Sequence, residues 1–177
     1  MTQRRWMAGL LALALALPAL SACGFRPVYG TGGSAVGGKV AAAELADVAI
    51  EPIPERSGQV LRNLLIDRMY EAGRPGNPAW RLRVSLTAVE EELGIRKDAT
   101  ATRARLRLIA NYELVDSVTS QVVYRSFSRS IVSYNILEAQ YGTLVAEQDA
   151  YERGLIELAD DIRTRLALYF AREPASK

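Results

Sequence analysis

The sequence predicts an α+β domain in which two helices pack on one face of a four-stranded mixed or antiparallel sheet. Three observations carry this. Three successive stretches between Trp80 and Tyr134 have the residue composition or the period-two apolar pattern of strands. A helical stretch follows Ser57, after a short first strand. A second helical stretch, much longer, closes the chain. The order is therefore strand-helix-strand-strand-strand-helix. The meander of three strands should be antiparallel, with the first strand brought in by a helical crossover.

The chain opens with MTQRR and then an apolar run, Trp6 to Leu20, which is broken by Pro18. A basic start, a short apolar stretch and small residues at its end describe an export signal. The run is shorter than the roughly 20 apolar residues a transmembrane helix needs. It ends in Leu20-Ser21-Ala22-Cys23, and Cys23 is the single cysteine of the chain. This resembles the bacterial lipobox, which places cleavage after residue 22 and a lipid on Cys23. Each buried methylene contributes roughly 0.8 kcal/mol, so an amino terminus carrying several acyl chains is held firmly. Gly24 follows, not the aspartate that favours inner-membrane retention, and this points to the outer membrane.

Cleavage removes Arg4 and Arg5 and no acidic residue. The mature chain of 155 residues (177 minus 22) then carries 20 basic residues (22 minus 2) against 20 acidic ones. Any basic surface must arise from where charges sit, not from an excess. Lipidation of Cys23 leaves no disulfide, and the absence of histidine removes the usual Cys/His metal sites.

Residues 23–45 read as the lipidated start and a flexible tether, because Tyr29 to Lys39 is mostly glycine and small residues. A single domain then covers 46–172, and 173–177 is a tail. Its first strand is DVAIEPIP, Asp47 to Pro54, confined by its prolines to an edge. Ser57 is the expected cap of the next helix, whose apolar set is Val60, Leu61, Leu64, Leu65 and Met69, with Gly73 as the stop. Trp80, Leu82, Val84, Leu86 and Ala88 alternate with polar residues. So do Ala104, Leu106, Leu108, Ala110, Tyr112 and Leu114. The following stretch, Gln121 to Tyr134, has a blurred phase that calls for a bulge or two contacted faces. Last comes an amphipathic helix through Leu144, Gln148, Tyr151, Leu155, Leu158, Ile162, Leu166 and Tyr169.

Catalytic equipment is sparse. There is no histidine and no free thiol after lipidation, and no Walker loop, GxSxG elbow or HExxH. The carboxylate runs Glu90-Glu91-Glu92 and Asp160-Asp161 read as solvated faces, so the expectation is a non-enzyme without cofactor beyond its covalent lipid. The polar positions of two strands, in contrast, hold Arg81 and Arg83, then Arg103, Arg105 and Arg107. The loop between them adds Arg96 and Lys97. Guanidinium groups match phosphate bidentately. A solvated face balanced by Glu90 and Glu113 is the plainer alternative. Export across the inner membrane removes nucleic acid from reach, and lipid A is the abundant phosphate carrier of the envelope.

Three stretches of this chain resemble the LptE family of lipopolysaccharide-assembly lipoproteins in its alphaproteobacterial form. They are CGFRPVYG (Cys23 to Gly30), VVYRSFSRSIVSYN (Val122 to Asn135) and YGTLVAEQDAYERGLIELADDIRTRLALYF (Tyr141 to Phe170). The resemblance implies two helices against a four-stranded sheet and a lipid anchor in the periplasmic leaflet of the outer membrane. It further implies the β-barrel LptD and lipopolysaccharide as partners, with the domain plugging the barrel and helping its assembly. Basic residues near the second loop of the sheet bind lipopolysaccharide in the family; the matching positions here are Arg96 and Lys97. Arg103 and Arg105 extend that site along the arginine pattern. A further basic position of the family falls on Leu144, so that part of the site departs. Two other readings of the same residues are an auxiliary lipoprotein of another envelope lipid-transport system, serving as carrier or docking module, and a periplasmic hydrolase using carboxylates. The first would need an apolar groove between helices and sheet. A direct check on the anchor is intact-mass measurement. The native protein should carry acyl mass on a chain starting at Cys23, and Cys23→Ala should lack it.

Overall fold

The computed structural model describes residues 36–70, 73–95, 101–137 and 139–172. Its elements run α1 (Val36–Ala46), β1 (Val48–Ile50), α2 (Glu55–Met69), β2 (Trp80–Ile95), β3 (Ala101–Asp116), β4 (Val122–Asn135) and α3 (Gln140–Arg172). The strands form one sheet in the order β1-β2-β3-β4. β1 runs parallel to β2, while β2–β3 and β3–β4 are antiparallel. The α+β class, the meander and the helical crossover are therefore as the sequence implies.

Alternation along the strands becomes two unlike faces. Leu82 and Val84 of β2 and Ala104, Leu106, Leu108, Ala110, Tyr112 and Leu114 of β3 are buried on the inner face. The inner residues of β4 are Ser128, Ser130, Val132 and Tyr134, also buried. Small serines there let α3 approach closely. Gly154 of α3 lies against this spot, and a Cβ on it would stand 2.7 Å from Leu108 Cδ1 and 3.4 Å from Ser130 Oγ. Ser130 Oγ donates to Glu157 on the next turn of α3. Ala150, Leu155, Leu158, Ala159, Ile162, Leu166 and Phe170 complete the buried stripe of that helix. α2 contributes Leu61, Leu65 and Met69 beside it. An aromatic chain pins the end of α3 to the sheet: Tyr169 stacks on Tyr124 with centroids 4.7 Å apart, and Phe170 meets Trp80 at 5.8 Å.

Several local expectations change. Residues 36–46 of the expected tether region are helical, because Ala41 and Leu45 bury against the other helices and Glu44 accepts a hydrogen bond from Trp80 Nε1 at 2.8 Å. Three helices, not two, thus lie on the inner face side. Ser57 is not the cap. α2 starts at Glu55 (φ 64°) after Pro54 and has no side-chain cap, while Gln59 Nε2 donates back to the Ile53 carbonyl. That tight return explains Gly58, whose Cβ would meet Ile53 Cγ2 at 2.7 Å. α2 stops at Met69, before Gly73, and Tyr70 Oη bonds the Val48 carbonyl at 2.5 Å. The blurred phase of β4 resolves as a register shift at Leu114/Val115, which are paired with Tyr124 and Val122 and leave Val123 as the extra residue. The turn before it is held by Asp116, whose Oδ1 accepts from Val118 N and Thr119 N at 2.9 and 2.6 Å; these bonds hold its carboxyl below the usual range.

The long strands create two poles. Sixteen residues of β2 at roughly 3.3 Å each span about 50 Å. One pole gathers Trp80, the end of α1 and Phe170; the other holds the end of β2, the start of β3, the end of β4 and the start of α3. The close seating of α3 should make Gly154→Leu cost about 1–3 kcal/mol by overpacking, read in urea unfolding. Leu158→Asp, which buries an unpaired charge at a 1 %-exposed position, should abolish the cooperative transition.

Candidate functional site

The outer face of the sheet has no helix on it. Its cross-strand rows read Leu93–Arg103–Asn135, Glu91–Arg105–Ser133, Val89–Arg107–Ile131, Thr87–Ile109–Arg129, Ser85–Asn111–Phe127 and Arg83–Glu113–Arg125. Arg81 lies beyond the last row, opposite Val115. The arginines expected on one face are all there, joined by Arg125 and Arg129 of β4. They do not form an unbroken ladder. Antiparallel pairing sets the start of β2 beside the end of β3, so Arg81 and Arg83 sit toward one pole and Arg103, Arg105 and Arg107 toward the other. No arginine of β2 stands directly across from one of β3, and the expected like-charge cost does not arise.

Carboxylates partly balance this face, though not the pair expected. Glu91 takes the role assigned to Glu90, lying 2.9 Å from Arg107 Nη2 and 3.9 Å from Arg105 Nη1. Glu90 has the opposite parity and faces the helices, where Tyr134 Oη donates to it. Glu113 does act as expected, at 2.7 Å from Arg125 Nη2. Glu51, just past β1, reaches Arg83 at 3.4 Å and Arg81 at 3.9 Å. Seven arginines (81, 83, 103, 105, 107, 125, 129) against three glutamates (51, 91, 113) leave four positive charges on one side of the sheet.

The arginines are not equally committed. Arg107 and Arg125 hold close pairs, but Arg105 has only its 3.9 Å contact. Arg103 and Arg129 are exposed, and among the described residues no carboxylate lies within ion-pair distance of either. Exposed ion pairs are worth about 0–1 kcal/mol, so an incoming anion could displace Glu91 from Arg105 at small cost. Arg103 and Arg129 are therefore the freest to take an anion, and Arg105, beside Arg103 at the end where Ile95 pairs with Ala101, is only loosely held. Arg96, Lys97 and Cys23 lie outside the described residues.

Between the two arginine groups the face carries apolar side chains, interrupted by Arg129 and Asn111. Phe127 and Ile131 are exposed, and Val89 and Ile109 complete a band across three strands. A shallow depression of about 510 Å³ beside Phe127 is bordered by Arg83 and Arg125. Sequence reasoning overlooked this band because the apolar residues belong to different strands and align only in the folded register. Leu144, where a family basic residue was expected, is half exposed on α3 and faces the helical side, in a groove with Val60 and Tyr151.

Among the described residues no helix is long and apolar enough to cross a membrane, and no cluster of ligating side chains could hold a metal ion.

Comparison with known proteins gives a consistent picture. An uncharacterized protein of Rickettsia prowazekii is 24% identical over 133 residues, covering 73% of this chain and 81% of that protein. A crystal structure from Caulobacter crescentus CB15, assigned as a lipoprotein, aligns with TM-score 0.60 and 28% identity, covering 75% of this chain and 97% of the other. The rare lipoprotein B of Shewanella oneidensis shares the fold at TM-score 0.54 and 9% identity, covering 71% and 96%. Residues 45–166 match the family described as LptE, lipopolysaccharide assembly. That match covers most of the α+β domain with its cationic sheet face, and the chain belongs to the LptE family.

Proposed function

We propose that this chain is an outer-membrane lipoprotein, anchored through Cys23. On this reading it complexes with and plugs the LptD barrel, assists the barrel's assembly and binds lipopolysaccharide for delivery to the surface. The observation that carries the proposal is the family match over residues 45–166 on a domain whose two sheet faces differ completely. Helices cover one face, and seven arginines with an apolar band occupy the other.

The chemistry supports each part. A wide outer-membrane barrel has a polar, water-filled lumen. A helix-backed domain with a charged sheet face fills such a lumen without meeting lipid tails. A domain that binds only the folded barrel also stabilises it by mass action. Lipid A joins phosphates to acyl chains. On the outer face Arg103 and Arg105 lie near Ile131 and Val89, so phosphate-matching and apolar groups are neighbours. In the sequence Arg96 and Lys97 follow Ile95, which pairs with Ala101 at this same end.

The carrier reading is less well supported. A carrier needs an apolar cavity between helices and sheet, and that space is filled by Leu61, Leu65, Leu106, Leu108, Leu158 and Ile162, all fully buried.

Co-purification from solubilised membranes should recover LptD with this chain, and depletion should lower the level of folded barrel. In a lipopolysaccharide titration, Arg103→Asp with Arg105→Asp, and separately Arg96→Asp with Lys97→Asp, should each weaken binding about tenfold or more. Thermal stability should change by under about 0.5 kcal/mol, as for most surface sites. Unchanged titrations would move the ligand site elsewhere. A lone monomer with a normal barrel after depletion would refute the complex.

A further inference from the structure

On the side of the sheet away from β3, β2 is paired only at its start. β1 covers Trp80 to Leu82, with Trp80 N donating to the Asp47 carbonyl and Glu51 N to the Leu82 carbonyl. These bonds show that even-numbered residues of β2 turn their backbone groups to this edge. The register with β3 is unbroken from Trp80 to Leu93. Val84, Leu86, Ala88, Glu90 and Glu92 therefore present edge N–H and carbonyl groups, and no described strand pairs with them. Edge strands are usually blunted by proline, a bulge or charged side chains. This stretch has no proline and no bulge, and its charges are all acidic, Glu90, Glu91 and Glu92, so they guard it against acidic or neutral strands and not against a basic one.

The same even residues look toward the helices, yet Ala88, Glu90 and Glu92 are exposed. Their partners in β3, Leu108, Leu106 and Ala104, are fully buried. The cause is the placement of α2. It starts beside Ile53 and runs back toward Val48, so it leaves this part of β2 uncovered. The resulting ledge is acidic. Partial desolvation of the Glu90 carboxyl, exposed on one side and covered by Tyr134 on the other, then Glu147 and Glu92, push its pKa up; burial, then Glu90, Glu147 and Glu55, push the Tyr151 phenol up. A groove of about 790 Å³ between α2 and α3 continues the ledge. It offers Val60, Leu64 and Leu144 as apolar surface, and Arg56 is its one arginine.

We propose that this edge and ledge dock an extended basic segment of another protein by strand addition. Backbone groups of Val84 to Glu92 supply the ladder, and the carboxylates of Glu90, Glu92 and Glu147 take the segment's alternate lysines or arginines. Charge selects the occupant. A second copy pairing antiparallel about Ala88 would set Glu90 and Glu92 opposite Leu86 and Val84 and give neither a cation, whereas a basic strand offers each carboxylate a partner. The inference is independent of the lipopolysaccharide reading, since it uses the free backbone edge of β2 and the inward-facing Glu90 and Glu92, whereas Arg105 meets β2 only through Glu91 on the opposite face.

The test uses the full chain in detergent and a fluorescent peptide, Lys-Thr-Lys-Val-Lys-Thr-Lys-Val, read by anisotropy. Saturable binding is expected. Ala88→Pro removes the central edge N–H, a change an edge strand tolerates, and should weaken binding about tenfold. A peptide N-methylated at alternate residues should fail likewise. Glu90→Lys with Glu92→Lys should also weaken binding about tenfold or more, with lipopolysaccharide titration unchanged. Absence of saturable binding would overturn the proposal. So would equal binding by Ala88→Pro, by the N-methylated peptide or by the Glu90/Glu92 variant.

Discussion

The close seating of α3 on β3 and β4 is the constraint from which the rest follows. Gly154 on the helix meets Ser130, Val132 and Leu108 on the sheet, and Ala150 one turn before it is fully buried, so the helix lies close to the strands. That contact commits one face of the sheet to the core over most of its length. It leaves the opposite face to whatever charge the odd-numbered residues carry. Close packing of this kind resists any change of volume, and a slip of one residue in β3 would turn six apolar side chains outward and its arginines inward.

Much of this was legible in the chain. Period-two alternation in β2 and β3 gives both the strands and their buried sides, since Leu82, Leu106, Leu108 and Leu114 are all fully buried. The long helix is likewise written in its spacing. Its first turns mislead, however. Leu144 and Gln148 continue the apolar-face spacing but are exposed, because they line the open groove that α3 shares with Val60 and Leu64 of α2. α1 escaped notice for the opposite reason. Its glycines and alanines look like a tether, and only burial of Ala41 and Leu45 against other helices makes it fold.

The charged face was half legible. Parity alone places the arginines on one side, but pairing direction decides which neighbours they meet. Antiparallel register exchanges an expected crowd of like charges for two groups, each with a glutamate among them. It also chose Glu91 over Glu90, a single step along the strand that reverses the side chain. With 22 basic and 20 acidic residues in the chain, the protein is close to neutral in sum and polarised in space. Positive charge gathers on the bare sheet face, and carboxylates gather by Tyr151 across the sheet. Such a distribution orients a molecule in an external field without drawing it indiscriminately to anions.

The extent of β2 has a final geometric consequence. At about 50 Å it is longer than the roughly 30 Å thickness of a bilayer's oily interior. If the domain is anchored near its Trp80 pole and stands upright inside a pore, as proposed above, the paired ends of β2 and β3 at Ile95 and Ala101 reach past the far rim. Whatever binds there would then work on the other side of the barrier from the anchor, with no part of the body having to travel.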